Sequence, residues 1–329
     1  MGLTNFPNGI SSFGVPMIGN GVPATFGDVF FVDYRNGADG NTGKSPDRAL
    51  KTLSRAYALC TTNHNDVVLV DGDSTVTETA MISLTKNRVH TIGLTGPGFP
   101  LGYGAGAKVN IGVTTDTDDI ALIKNTGVRN SFSNIKFSSG NTLTEAIYVF
   151  AEGGEYTRFF GCEFYKSTHL TTTAAAEVLC NGDSAQFYGC TFGDLVNARG
   201  TGGSCVRATV NFDREQITGK VARDVSFVDC TFLVNAADTG VAMCHITAAT
   251  DIERRLVFER PKFINAHLAL ADPGEAILIS AAQTQGKVLL IDPVTLDCSA
   301  HASASAGAYL TGGSAPVDTT TGIAAIIDT

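Results

Sequence analysis

Residues 187–192 read FYGCTF, and this six-residue pattern recurs along the second half of the chain. The other copies are FSNIKF at 132–137, FFGCEF at 159–164, FVDCTF at 227–232 and FERPKF at 258–263, and a weaker copy begins at Leu290. Successive copies begin 27 to 40 residues apart, which indicates repeated units with loops of variable length. Because one such unit cannot bury its own apolar side chains, we predict that the units stack as coils about 4.8 Å apart.

Equivalent positions of the pattern predict which side chains form the core, because equivalent residues of stacked coils lie directly above one another. The sixth position is always Phe, and the fourth position holds Ile135, Cys162, Cys190, Cys230 and Pro261. Both positions are predicted to point inwards. The third position holds Asn134, Gly161, Gly189, Asp229 and Arg260. We predict that the chain bends there, since Gly and Asn tolerate left-handed backbone.

The composition is that of a folded, turn-rich β protein with no nucleic-acid partner. Hydrophobic residues make up 43% of the chain, charged residues 17%, and there are 36 glycines. A net charge of −9 without a basic cluster disfavours binding to phosphate backbones. The longest apolar runs have the length of strands, so neither a membrane partner nor a signal peptide is predicted. The eight cysteines form no CxxC pair and are predicted to be buried free thiols.

Three regions follow from this pattern. Residues 1–27 combine six glycines and three prolines with scattered apolar side chains, which predicts an extended arm that docks on a partner surface; a flexible leader is the alternative. Residues 28–298 form the predicted β-helix, with a capping helix near 49–60 that Ser45 or Asp47 would cap. Residues 299–329 are predicted to form a C-terminal cap or subunit contact. The predicted contact residues of the arm are Phe6, Pro7, Ile10, Phe13, Val15, Pro16 and Ile18.

Paired carboxylates would indicate a polysaccharide-cleaving enzyme, because such enzymes act through two acidic groups or through bound calcium. Each acidic candidate in this chain also fits an ordinary turn or solvated loop. The candidates are Asp71 with Asp73, Asp116 with Asp118 and Asp119, Glu152 with Glu155, and Asp183 with Asp194. The six histidines show no spacing typical of a zinc site. The residues therefore predict no catalytic group, metal site or cofactor.

Residues 29–78 resemble the opening of pectate-lyase-like β-helix proteins. The resemblance rests on a strand that ends in Asp33, a turn rich in Gly and Asn, SPDRALKTLSRAYALC at 45–60 and DVVLVDGDSTVTE at 66–78. It implies an all-β fold, a right-handed single-stranded parallel β-helix or solenoid with a short N-terminal capping helix. That fold carries lyases, hydrolases and inert scaffolds alike, so it implies no activity.

The opening MGLTNFPNGISSFGVPMIG at residues 1–19, followed by such a β-helix, resembles capsid decoration or cement proteins of tailed bacteriophages. This resemblance implies a structural virion protein, not an enzyme, that is made in the cytoplasm of the bacterial host. It implies homotrimers on the capsid surface that bind the major capsid protein through the arm. The alternative is a phage tailspike-type or free polysaccharide lyase or hydrolase, which a groove of paired carboxylates and exposed aromatic residues would indicate.

Overall fold

A computed structural model of the chain confirms an all-β, right-handed parallel β-helix. It describes residues 11–12, 15–16, 27–71, 77–94, 109–113, 121–139, 148–165, 175–200, 202–208, 220–266, 271–303 and 308–312. Within these ranges, the longest α-helix has 7 residues, and no helix has the length and apolar character needed to cross a bilayer.

The first half of the chain contains a 3-10 helix at Pro46–Arg48 and one α-helix, α1, at Leu53–Leu59. The strands up to the third sequence repeat are β1 Ser11–Ser12, β2 Val15–Pro16, β3 Val29–Asp33, β4 Asp66–Asp71, β5 Thr77–Glu78, β6 Ile82–Leu84, β7 Val89–Gly93, β8 Val109–Val113, β9 Ala121–Asn125, β10 Ser131–Ser133, β11 Ile135–Ser139, β12 Tyr148–Glu152, β13 Arg158–Phe160, β14 Glu163–Tyr165 and β15 Ala176–Cys180. The remaining strands are β16 Gln186–Tyr188, β17 Thr191–Arg199, β18 Ser204–Ala208, β19 Ala222–Val228, β20 Thr231–Ala236, β21 Ala242–Ile246, β22 Ile252–Glu259, β23 Lys262–Asn265, β24 Glu275–Ile279, β25 Gly286–Ile291, β26 Val294–Leu296, β27 Ala300–Ala302 and β28 Ala308–Thr311.

Three parallel sheets run along the molecule, and each coil contributes one strand to each sheet in turn. Sheet 1 has ten strands in the order β3-β4-β7-β10-β13-β16-β19-β22-β25-β28. Sheet 2 has eight strands in the order β5-β8-β11-β14-β17-β20-β23-β26, and sheet 3 has eight in the order β6-β9-β12-β15-β18-β21-β24-β27. Strands β1 and β2 lie in the predicted arm and pair antiparallel. The extended arm itself stays a prediction, because most of residues 1–27 lie outside the described residues.

Two ladders of phenylalanine rings fill the core. The repeat predicts the ladder at its sixth position, and the structure adds a second ladder at its first position. In sheet 1 the first Phe of each copy stacks on the next, with ring centroids 4.5 Å apart for Phe159 and Phe187 and 4.7 Å apart for Phe187 and Phe227. In sheet 2 the last Phe does the same, with 5.1 Å between Phe164 and Phe192. The two ladders meet edge to face inside the coil, as Phe187 and Phe192 do at 5.6 Å. Each ring therefore contacts its own ladder and the other one.

The prediction of buried free thiols is also confirmed, because every cysteine is buried and free. Cys162, Cys190 and Cys230 lie one coil apart beside the phenylalanines. The Sγ atom of Cys230 lies 3.4 Å from the carbonyl oxygen of Phe187, one coil away. These thiols act as small apolar groups with a weak donor.

A ladder of left-handed residues separates sheet 1 from sheet 2, at the third position of the pattern. The residues are Asn134, Gly161, Gly189, Asp229, Arg260 and, in the weaker copy, Asp292, with φ between 48° and 57°. Their N–H groups remain bonded to the next coil; that of Asn134, for example, donates to the Phe160 carbonyl at 2.9 Å. Arg260 adopts this backbone next to Asp229 of the neighbouring coil. The Nε and Nη2 atoms of Arg260 donate to the carboxylate of Asp229 at 2.7 Å and 2.9 Å.

The capping helix is shorter than predicted and has a different cap. Helix α1 begins at Leu53, and the side chain of Thr52, not of Ser45 or Asp47, accepts from Arg55 N. The reason is that Leu50 continues sheet 1 through a bridge to Val32. The carboxylate of Asp39 also accepts from the N–H groups of residues 51 and 52, at 2.9 Å each, which holds this stretch extended.

A buried polar network lies inside the corner where sheet 3 leads to sheet 1. Asn125 Nδ2 donates to Glu152 Oε2 at 2.9 Å and to Thr157 Oγ1 at 3.0 Å. Asn125 Oδ1 accepts from Asn130 Nδ2 at 2.9 Å, and Asn130 Nδ2 also lies 3.0 Å from Tyr57 Oη. Glu152 is completely buried, and burial raises its pKa to about 7 against the lowering effect of these donors.

Phe159 and Phe160 offer a matched pair of substitutions, because one ring points inwards and the other outwards. We expect Phe159→Ala to lower the free energy of unfolding by about 3–5 kcal/mol, since it leaves a cavity between two stacked rings. Phe160→Ala should cost about 1 kcal/mol or less, since its half-buried ring contacts mainly Tyr188. Urea denaturation of both variants measures this difference. Equal losses would contradict the inward ladder.

The raised pKa of Glu152 predicts a defined pH dependence of stability. The pKa is about 7 in the folded protein and 4.5 without burial, so this group's contribution is full below pH 4.5 and is lost as the pH rises through 7. Glu152→Gln removes the titration. As the pH rises from 4.5 to 8, the free energy of unfolding of the wild type should therefore fall by about 3 kcal/mol relative to that of the variant.

Urea denaturation of the wild type and the variant across this pH range gives the comparison. Glu155→Gln serves as the control, because the Glu155 side chain is 41% exposed. A difference between wild type and Glu152→Gln that stays constant with pH would contradict the raised pKa.

Candidate functional site

The outer face of sheet 3 carries polar side chains on neighbouring coils. Its inner face, by contrast, packs on the apolar core. Phe150 in β12 packs on Phe132 and Phe159 of the main core, with ring centroids 5.7 Å and 5.3 Å away. The adjoining Ala151 instead belongs to a separate apolar cluster outside that core. The register aligns Ala151, Leu179, Arg207, His245 and Leu278 on this outer face.

Arg207, His245 and Ser280 form a hydrogen-bonded row across β18, β21 and the end of β24. Arg207 Nη1 donates to the Gly202 carbonyl at 3.1 Å and lies 3.2 Å from His245 Nδ1. His245 Nε2 lies 2.8 Å from Ser280 Oγ. Burial and the neighbouring guanidinium lower the pKa of His245 to about 4, so the ring is neutral at neutral pH.

Two contacts bear on the proton of His245. Arg207 can only donate, so its contact favours Nδ1 as an acceptor and a proton on Nε2. A hydrogen bond with the Gly202 carbonyl favours a protonated ring nitrogen on that side instead. Ser280 is exposed, so its hydroxyl group can exchange hydrogen bonds with a ligand.

Arg207 is a partly buried cation that forms no salt bridge among the described residues. Desolvation lowers its pKa, the direction expected for a charge that burial disfavours, while the charge of Asp251 acts in the opposite direction from beyond salt-bridge distance. Its Nε atom is buried and makes no hydrogen bond. The hydroxyl of Ser204, three residues earlier on the same strand, is likewise buried without a partner. Both groups keep hydrogen-bonding capacity that nothing in the described chain uses.

Arg199 shows how the same fold neutralises another buried guanidinium. Its Nη1 and Nη2 donate to Glu177 Oε2 and Oε1 at 2.9 Å and 2.8 Å, and both side chains are at most 1% exposed. The pair lies beside an irregularity of β17, where the register against β20 shifts between Gly193 and Ala198. A paired charge of this kind is a structural feature, which sets Arg207 apart.

The acidic candidates within the described residues have partners of other kinds, and Glu155 and Asp183 occupy neighbouring register positions on adjacent coils. Glu152 belongs to the buried network, whereas Glu155 lies 3.5 Å from exposed Lys220. Asp183 pairs with Arg223 at 3.3 Å.

Asp194 Oδ1 accepts from Val196 N at 2.7 Å and so supports a local turn. Asp71 is exposed at the end of β4. Asp73, Asp116, Asp118 and Asp119 lie outside the described residues.

The predicted arm contacts lie mostly outside the described residues. Val15 and Pro16 form β2, of which only the backbone is described. Phe6, Pro7, Ile10, Phe13 and Ile18 lie outside the described residues. The binding role of the arm stays a prediction.

Sequence reasoning missed Arg207, His245, Ser204 and Ser280. The only signal is that Leu179, Arg207 and His245 occupy one register position, at which an apolar residue gives way to two basic ones. That change becomes visible only when the strands of sheet 3 are aligned. The sheet 3 strands share no constant residue like the Phe of the other two sheets.

Comparison with known proteins identifies the fold. No family model and no curated protein matches the chain. Among solved structures, the pectate lyase Pel9A is similar with a TM-score of 0.55 and 14% identity, covering 82% of this chain. The match spans only 63% of that lyase.

Two pectin methylesterases are also similar. One, from Aspergillus niger, has a TM-score of 0.52 and 15% identity over 91% of each chain. The other, in complex with a hexasaccharide, has a TM-score of 0.52 and 12% identity over 83% of this chain and 80% of that one.

These neighbours correct one expectation from the sequence. The chain was expected not to be an enzyme, and that expectation is wrong as stated, because the neighbours on this fold are carbohydrate-active enzymes. None of them points to a phage origin or a capsid role. At this identity, the likeness establishes a pectate-lyase-like right-handed β-helix.

Proposed function

We propose that this chain acts on an acidic polysaccharide, which it binds along the outer face of sheet 3. The observation that carries the proposal is Arg207, a partly buried guanidinium that forms no salt bridge with a carboxylate among the described residues and whose Nε makes no hydrogen bond there. A desolvated charge without a partner costs free energy, and a ligand anion offsets that cost. An acidic sugar supplies both the carboxylate and the hydroxyl groups that this face can bind.

The row of donors suits a sugar polymer in two further respects. Ser280 is exposed at the end of the row, so its hydroxyl group can exchange hydrogen bonds with a sugar. The row also crosses three successive coils, so it follows the long direction of the molecule as an extended ligand would. The pectate lyase and the pectin methylesterases on this fold are named for acidic glycans, which agrees with this ligand class.

His245 has a positioning role in this proposal. It is neutral at neutral pH and contacts both Arg207 and Ser280, so it sets the orientation of both groups without adding charge. The reacting group of a lyase or hydrolase is not assigned to any of these residues.

Arg207→Gln tests the proposal directly. We expect the affinity for polygalacturonate, measured by titration calorimetry at low salt, to fall at least tenfold, which corresponds to about 1.4 kcal/mol. The free energy of unfolding should stay within about 1 kcal/mol of the wild type, because the loss of hydrogen bonds is offset by the removal of an unpaired charge.

Arg158→Gln is the matched control, because Arg158 is exposed on sheet 1 and should leave binding unchanged. A neutral glucan is the control ligand. Equal affinity of wild type and Arg207→Gln, or no binding to polygalacturonate by either, would contradict the proposal. Release of new chain ends by the wild type alone would extend it from binding to cleavage.

Capsid decoration by a homotrimer is a second candidate, and an apolar ladder on the outer face of sheet 1 favours it. Seven of its ten register positions are apolar or aromatic and half-buried, which is unusual for a free sheet face. The ladder consists of Phe31, Leu69, Ile92, Ser133, Phe160, Tyr188, Val228, Glu259, Ile291 and Thr311.

A second copy that covers this face would bury the ladder, and a threefold axis would close the assembly. We expect light scattering to give three times the chain mass of 34.4 kDa, and Val228→Asp to give a single chain mass. A wild-type protein of single chain mass at micromolar concentration would contradict the homotrimer. Binding to the major capsid protein, on the virion surface, remains a proposal that co-sedimentation with undecorated capsids tests.

A further inference from the structure

Three metal-ligating side chains meet at the N-terminal end of the β-helix, far along the rod from Arg207. Asp28 lies just before β3, His64 lies in the turn between α1 and β4, and Asp66 opens β4. One ligand atom from each lies within 4.8 Å of the others. Among the described residues, no other group of three His, Cys, Asp or Glu side chains brings its ligand atoms this close together.

Close backbone packing brings these segments together. A Cβ atom at Gly27 would lie 2.5 Å from the carbonyl group of Asn65, so only glycine permits this approach. Asp28 N then donates to Asp66 Oδ1 at 2.7 Å. Asn63 and Asn65 have left-handed φ of 61° and 59°, which turns His64 back over the strand. His64 Nδ1 consequently lies 2.6 Å from Asp66 Oδ1.

We propose that Asp28, His64 and Asp66 bind a divalent transition-metal ion such as zinc. Two carboxylate oxygens and one imidazole nitrogen form a ligand set that zinc accepts, and three protein ligands leave a coordination position for water. Asp66 is completely buried and provides a fixed ligand. The side chains of Asp28 and His64 are 53% and 47% exposed, so an ion can reach the site from solvent.

Lys44 occupies the position of a competing cation. Its Nζ lies 2.8 Å from Asp28 Oδ1 and 4.0 Å from the centre of the Phe30 ring. A metal ion would displace Lys44 from Asp28. Binding also moves His64 and Asp66 apart, because two ligands of tetrahedral zinc lie about 3.3 Å from each other. His64 makes this shift, since it is in an exposed turn, whereas Asp66 stays in place because its carboxylate accepts from the N–H groups of Asp28 and Thr61.

The test is a titration of the chelator-treated full chain with zinc chloride. Calorimetry measures binding, and thermal denaturation measures the midpoint of unfolding with and without zinc. We expect one ion per chain and a higher midpoint with zinc. His64→Ala and Asp28→Asn should each weaken binding at least tenfold, and both are exposed enough to fold normally. Lys44→Met should tighten binding, because it removes the competing cation; a merely structural cluster would not respond in this way.

His301→Ala is the matched control and should bind as the wild type does, since His301 contacts Thr295 at the other end of the molecule. Cobalt provides a spectroscopic check, because a tetrahedral site would give visible absorption bands that His64→Ala loses. Absence of binding, or equal binding by wild type and His64→Ala, would overturn the proposal. Failure of this site leaves the proposed polysaccharide function untouched, since the two share no residue.

Discussion

In-register stacking of parallel strands is the constraint on which the rest of this structure depends. Each strand of sheet 1 places its residues over the same positions of the strand before it, from β3 to β28. Any residue type that suits the interior at one coil therefore suits it at the next, and the Phe and Cys ladders follow from that requirement. The left-handed turn between sheets 1 and 2 obeys the same rule, because a change of backbone at one coil would break hydrogen bonds to both neighbours.

The same constraint frees the outer faces. Side chains there have stacked neighbours but no common core to fill, so they vary from coil to coil without disturbing the fold. In sheet 3, Arg207 and His245 occupy the register position that Leu179 holds in the preceding coil. The contrast between the two arginines is informative. Arg199 lies inside with Glu177 as its partner, whereas Arg207 lies outside and partly buried with none among the described residues. Only the second has binding capacity to spare.

The sequence predicted the fold well because its signal is repeated. FYGCTF and its copies specify two inward positions and one turn in every coil, and all three roles are confirmed. The helix boundary was less predictable, because Leu50 looks helical by spacing but pairs with Val32 as a strand. Tertiary pairing overrides local periodicity there.

The candidate site was not predictable from one sequence, because its residues come from different coils and share no motif. Arg207 and Ser280 are brought together through His245 by register alone. The same holds for Asp28, His64 and Asp66, which the close packing of Gly27 assembles. Paired carboxylates were the wrong signal to search for, since Glu152 is taken into a buried network and Asp183 into an ion pair. An unpaired guanidinium leaves no pattern in the sequence.

We propose the outer face of sheet 3 as a binding surface for an acidic glycan, and a crystal structure of the chain with an oligogalacturonide would test this. We expect sugar density across β18 and β21, with a carboxylate in hydrogen-bonding distance of the Arg207 guanidinium. Density only on sheet 1 or sheet 2, or an Arg207 left without a ligand at saturating sugar, would contradict it.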